Sequence, residues 1–466
     1  LIWIICTGRL PKSFPGFTMT PKPLNDCVIC NGTILTLDPA FTVIPKGFIT
    51  VDDHRITQIA ELADDTVIPP ARKVIDAEGG IIMPGLVNTH GHLPMALFRG
   101  LADDLPLDAW LNECIFPAEA AHIKPDTVAV GTALSVAEML LSGTTCCCDG
   151  YFLEDHQAET VAETGIRAVL GQGVIDFPAP GVADPKENVA HAAAFVDRWR
   201  SRTPLIAPSI FCHSPYTCSA ETLRAAKAAA DDRGALFQIH AAETQSERSR
   251  CIAQHQRTPI HYLDDLGVLD TRTLIAHAVW VDDADIQILA RSGARVSHNP
   301  ESNMKLACGI APVADMLNAG IRVGLGTDGC ASNNNLDLFQ EMDTAAKLHK
   351  VCALDPTVTD APSVLKMATI HGAECLGLAH ETGSLEPGKQ ADIIIIDTHR
   401  PRLTPMFSPV SQLVYAATGA DVRHVLVAGR VLVENQCLTT IDLPGLAARL
   451  QPIGKRIMAL FARGAF

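Results

Sequence analysis

The chain has 466 residues, 47% of them hydrophobic and 19% charged, which gives ample material for one large core with a satellite and excludes a disordered protein. A formal net charge of −15 and the lack of any Lys/Arg-rich run argue against a groove for polyanions, so nucleic acid is not an expected partner. Fifteen cysteines in a chain this long do not make a small disulfide framework. Cys27 and Cys30 form a C-x-x-C with no second one to complete a zinc site, and Cys146, Cys147 and Cys148 lie in an apolar run. All read as buried free thiols, which suits a reducing, cytoplasmic setting.

In chain order, the first apolar stretch is LIWIIC, far short of the ~20 residues of a spanning helix. It has no basic start and no cleavage site. Met19 precedes the first patterned residues, so 1–18 read as an upstream extension and 1–26 as lying outside the fold. Later apolar runs such as Ile393–Ile396 are short and bounded by Asp, so no membrane span is expected.

Residues 27–84 alternate apolar and polar in VICNGTILTLD and FITVDDHRITQIAEL, the period of half-buried strands. From 85 to 382 the pattern changes. The strand-like runs GLVNTH, GTTCCCDG, RAVLGQGV, LIAPSIFCH, LFQIHAAE, TLIAHAVW, ARVSHNP and RVGLGTDG alternate with helical stretches such as Thr127–Leu141, Ala220–Arg233 and Ala284–Ser292. Eight β-then-α units predict an α/β fold, a (β/α)8 TIM barrel; an open doubly wound sheet is the structural alternative. Strands return over 383–440, in GSLEPGKQADIIIIDTH and VRHVLVAGRVLVENQ, with Gly429 at a tight turn. The two outer segments together predict a small β-sandwich domain built from both chain ends. Residues 441–466 read as a terminal helix.

Catalytic groups of such barrels sit at the C-terminal ends of the strands. The first strand ends in His90-Gly91-His92, and in extended backbone i and i+2 face the same way, so both imidazoles reach one point. The fifth brings His240 as a third imidazole, with Glu243 placed to reach a substrate without being a ligand. The eighth ends in Asp328, an acid that is costly to bury without a cation or donors. Three His and a carboxylate suit one divalent ion with an open water position, Zn²⁺ first, with Fe²⁺ or Mn²⁺ also compatible. The alternative is four unrelated residues at the barrel mouth.

PGLVNTHGHLPM, the HAAE segment, LIAHAVW, SHNPESNMKLACGIAP and GLGTDGCASNNNLDLF resemble the amidohydrolase superfamily. Within it they are similar to the 5-methylthioadenosine/S-adenosylhomocysteine deaminases, near the triazine and chlorohydrolase branch, over about residues 27 to 440. The resemblance implies that His90, His92, His240 and Asp328 hold a metal. It also implies that Glu243, His277 and Asp328 handle protons. Binuclear relatives carry a carboxylated lysine on the fourth strand; APSIFCHSPYT has none and offers His213, so a mononuclear site is expected. Glu119 resembles the family's acid for ribose hydroxyls, and His213 a histidine near purine and sugar. Ser302 and Asn303 are expected to line the pocket, and Trp110 to form an apolar wall.

The implied activity is hydrolytic deamination of a 5′-modified adenosine, 5′-methylthioadenosine and/or S-adenosylhomocysteine, to the inosine analogue plus ammonia. Gly171–Pro185 lacks the arginines that some relatives aim at an amino-acid carboxylate, which favours methylthioadenosine. Three alternatives stay open. One is deamination or dechlorination of another ring: guanine, 8-oxoguanine, a cytosine-like base or a triazine. Another is a binuclear amide hydrolase, and the third a non-catalytic scaffold. The resemblance also suggests a homo-oligomer.

Overall fold

The computed structural model describes residues 24–64 and 66–461. Residues 1–23 of the expected extension lie outside them. Strand β1 (Asn25–Leu35) starts within that expected extension, because the Asn25 N–H is held by the Pro70 carbonyl at 3.2 Å. It is followed by β2 (Val43–Asp52), β3 (Arg55–Glu61), β4 (Ala71–Asp76) and β5 (Ile81–Pro84).

The chain then builds the barrel strands β6 (Leu86–Gly91), β7 (Thr144–Tyr151), β8 (Arg167–Val174), β9 (Ile206–Cys212), β10 (Phe237–Ala241), β11 (Thr273–His277), β12 (Arg295–His298) and β13 (Val323–Leu325). Neighbours in this order pair in parallel. The seam between β13 and β6 is closed by the Thr89 hydroxyl donating to the Leu325 carbonyl (2.9 Å) and by the Asp328 N–H donating to the His90 carbonyl (3.0 Å). Helices fall between the strands. Asp283–Ser292 starts at Asp282, whose carboxylate accepts the Asp285 N–H at 3.1 Å, and stops where Gly293 turns left-handed (φ 75°). Ala220–Asp231 is capped by Ser219 and ends two residues before Arg233, where its pattern ran out.

The chain returns to the first sheet with β14 (Ile393–Ile396), β15 (Val422–Val427), β16 (Arg430–Glu434) and β17 (Cys437–Leu438). Strands from both chain ends make one mixed sheet, β17-β16-β15-β14-β5-β1-β2-β3, with β4 joined to β1. The unbroken isoleucine run of β14 has a reason. Ile393 and Ile395 join the sheet's own core with Ile29, Ile49 and Ile82, while Ile394 and Ile396 join the barrel core. A strand buried on both faces does not alternate.

Between β6 and β7 the chain runs through a short helix (Leu107–Ala109), a π-helical turn (Trp110–Ile115) and a second helix (Phe116–His122). The helix Leu443–Phe461 packs Leu446, Ile453 and Ile457 against this region. Among the described residues, no helix is long and apolar enough to cross a membrane.

Candidate active site

His90 and His92 stand at the end of β6, His240 at the end of β10, His277 at the end of β11 and Asp328 just past β13. The His90 and His92 Nε2 atoms lie 3.4 and 3.3 Å from Asp328 Oδ1, and His240 Nε2 lies 3.1 Å from His90 Nε2. Two triplets, His90/His92/Asp328 and His90/His240/His277, each bring their ligand atoms within 4.8 Å of one another. They share His90, so the five side chains form one continuous cluster. The backbone is strained there: His277 (φ 76°), Asp328 (φ 59°) and Ala242 (φ 56°) are left-handed, at a cost of order 1–3 kcal/mol each.

The electrostatics call for a cation. Burial pushes His90 down to about 4 and His240 well below its ordinary value, so both present neutral lone pairs. Burial would lower His92 too, but hydrogen bonding to Asp328 and its charge override it and hold His92 at about 9. Burial likewise works against the Asp328 charge, yet His90 and His92 hold its carboxyl well below the usual range. A positive charge belongs between them, and a divalent ion fits where the His92 proton otherwise sits. The His92 Nδ1–H is donated to the Gly150 carbonyl at 2.7 Å, which turns Nε2 inward as metal ligation requires.

Ser302 and Asn303 were expected to line the pocket. Both are buried and lie outside the cavity wall. The Ser302 hydroxyl donates to Asp328 Oδ2 (2.7 Å) beside that of Ser332 (2.8 Å), so it is turned to the carboxylate. The Asn303 Oδ1 sits 2.9 Å from His277 Nδ1, closer than the Asn299 amide nitrogen at 3.3 Å. This assigns the proton to Nδ1 and leaves His277 Nε2 for chemistry, 3.9 Å from Glu243 Oε1. Both residues sit at the start of the helix Pro300–Lys305, where proximity to a strand end does not tell which way a side chain turns. Burial raises the Glu243 pKa, against the opposing charge of His277.

A cavity opens above these groups. His92, His240, Glu243, His277 and Asp328 line it. So do Glu119, His213 and Trp110. Glu119 accepts the Tyr151 hydroxyl; burial pushes its carboxyl up to about 7, with the Tyr151 bond and the His92 charge pulling the other way. Burial and then repulsion from His92 and His90 push His213 down to about 3, so it is neutral. No lysine stands on β9.

Tyr151, Phe211, Tyr216 and Ser332 also line the cavity and escaped sequence reasoning. Tyr151 falls one residue past the candidate strand GTTCCCDG, a signal that was available. Leu107, Leu111, Ile115 and Phe116 were not legible. Leu107, Trp110, Leu111 and Ile115 follow a helical i, i+3, i+4, i+8 spacing, and the π turn brings Phe116 beside Leu111.

Comparison with known proteins agrees with this geometry. The amidohydrolase family model matches residues 81–432. The chain belongs to the amidohydrolase family. This amidohydrolase is 42% identical over 432 residues (93% of the chain, 98% of the relative) to the 5-methylthioadenosine/S-adenosylhomocysteine deaminase of Syntrophobacter fumaroxidans. It is 44% identical over 437 residues (93% and 99%) to the 5′-deoxyadenosine deaminase of Methanosarcina mazei. Among solved structures it is similar to an adenosine deaminase from Xanthomonas campestris with bound zinc, with a TM-score of 0.91 at 38% identity over 94% of this chain and 100% of that one.

Proposed function

We propose that this amidohydrolase is a deaminase that converts a 5′-modified adenosine to the inosine analogue plus ammonia. One observation carries the reading: the cavity that sets Glu243 and His277 beside the ligand cluster also presents the Glu119 carboxylate, an acceptor suited to vicinal ribose hydroxyls. A free base or a triazine has no ribose for Glu119 to hold. The named activities of the relatives support the same class.

His90, His92, His240 and Asp328 would hold one divalent ion per chain, zinc first and iron or manganese next. Such an ion supplies Lewis acidity that brings the pKa of a water toward ~7. Asp328 takes the water's proton, and His277 Nε2 orients the attack on C6 of the purine. Glu243 protonates the adjacent ring nitrogen, receives from Asp328 the proton taken from the water and passes it to the leaving amine, and is reprotonated by the C6 hydroxyl as the 6-oxo group forms. The cavity wall of Leu107, Trp110, Leu111, Ile115 and Phe116 is apolar, and neither Lys nor Arg is among the described lining residues. This supports an uncharged 5′ group, as in 5′-methylthioadenosine, over S-adenosylhomocysteine. The described cysteines are all free thiols, in keeping with a reducing cytoplasm.

The test is ammonia release from a panel of 5′-methylthioadenosine, 5′-deoxyadenosine, S-adenosylhomocysteine, guanine and a chlorotriazine, with elemental analysis of the same sample. Turnover of the neutral adenosines with about one metal per chain is expected. Turnover of guanine or the triazine alone would overturn the reading.

A further inference from the structure

Glu247 is a buried acid that the proposed reaction leaves unused. It lies in the first turn of the helix Gln245–His255, and its own N–H is capped by the Thr244 hydroxyl at 3.1 Å. A glutamate at this place in a capping box bonds back to the N-cap N–H. Here the carboxylate reaches further. Oε1 accepts the Ala242 N–H at 2.9 Å, and Oε2 accepts the Glu243 N–H at 2.7 Å.

The peptide it grips is held from the other side as well. The Ala242 carbonyl accepts the Val279 N–H (2.9 Å) and the Trp280 N–H (2.7 Å), both just past His277. The Ala241 carbonyl accepts the Ala278 N–H at 3.2 Å. Ala242 and His277 are both left-handed, so neither turn is held by ordinary backbone preference. The Glu247 carboxylate, the Ala242 peptide and the turn after β11 form one chain of hydrogen bonds, and that chain sets the Glu243 side chain against His277.

We propose that Glu247 is a positioning residue: its bidentate grip on the Ala242 and Glu243 N–H groups fixes the angle at which Glu243 meets the substrate. The inference rests on Glu243 being the proton carrier. Glu247→Gln puts an amide NH₂ against one of two buried N–H donors, and that turn loosens. Glu247→Asp keeps the charge but is too short to hold both.

The experiment is a cycle of Glu247→Gln, Glu243→Gln and the double variant, with Glu247→Asp alongside. Each is assayed for kcat, KM, metal content and Tm, using 5′-methylthioadenosine. Glu247→Gln should lower kcat by about a hundredfold, as a misplacement near 1 Å does, with KM within about threefold and metal retained. Added to Glu243→Gln, it should cost less than about threefold more, because the residue through which it acts is already lost. Losses that multiply in the double variant, loss of metal, or failure of both Glu247 variants to fold would each overturn the proposal, since Glu247 would then be serving the scaffold. Full activity of Glu247→Gln beside a dead Glu243→Gln would overturn it alone. Full activity of Glu243→Gln would overturn the proposed function instead.

Discussion

Asp392 and Asp328 are both buried, and they sit near opposite ends of the barrel. Asp392 meets Arg167, the first residue of β8, through two hydrogen bonds of 2.7 and 3.1 Å, and accepts the Ala428 N–H at 2.7 Å. Burial would lower the Arg167 pKa, but the Asp392 charge and hydrogen bonds more than offset it, so the guanidinium is permanently charged. Every demand of this carboxylate is met within the protein, and the pair ties barrel to sheet. Asp328, past β13, has no guanidinium. Its charge is answered by His90 and His92, and burial alone would hold both of these neutral. A buried acid matched by a permanent cation is structural, whereas one matched by imidazoles is arranged for an ion that comes from outside.

Substitutions at the two ends should separate these roles. Asp328→Asn removes the anion around which the imidazoles converge, so metal content should collapse and turnover fall by about 10⁴-fold, with Tm changed far less than by loss of Arg167. Retained metal in that variant would break the comparison. Arg167→Met leaves Asp392 charged and buried, and denaturant melts should show a loss of about 3–5 kcal/mol with kcat/KM of the folded fraction unchanged. Ser302→Ala takes one of two hydroxyls from Asp328 Oδ2, and competition with a chelator should show metal affinity about 10- to 100-fold weaker. The smallest effect is expected for Glu119→Gln. It replaces a charge-assisted acceptor by a neutral one, worth about 1.5 kcal/mol or roughly tenfold in kcat/KM for a nucleoside. An unchanged KM there would remove the ribose from the account.

The barrel end that carries the site was legible because its strands are short, apolar and signed by a polar residue at one end. His90, His92, His240 and Asp328 could be placed from the order of strands, and His277 from the family resemblance. The supporting shell was not. Ser302 and Asn303 follow a strand end as a substrate contact would, and only their full burial against Asp328 and His277 shows what they hold. The wall at 107–116 has an apolar face at helical spacing (Leu107, Trp110, Leu111, Ile115), which in a sequence reads equally as a face packed on the core. Arg167 and Asp392 are 225 residues apart, and nothing local to either marks the other as its partner.

In the proposed reaction the ligand cluster and Glu243 divide the work, one holding the ion and the other carrying the proton. Metal content and ammonia release measured on the same preparation of Glu243→Gln test this most directly. Metal should equal that of the unmodified protein, and turnover of 5′-methylthioadenosine should be lower by about 10²–10⁴-fold. Undiminished turnover, or turnover lost only in step with the metal, would contradict it.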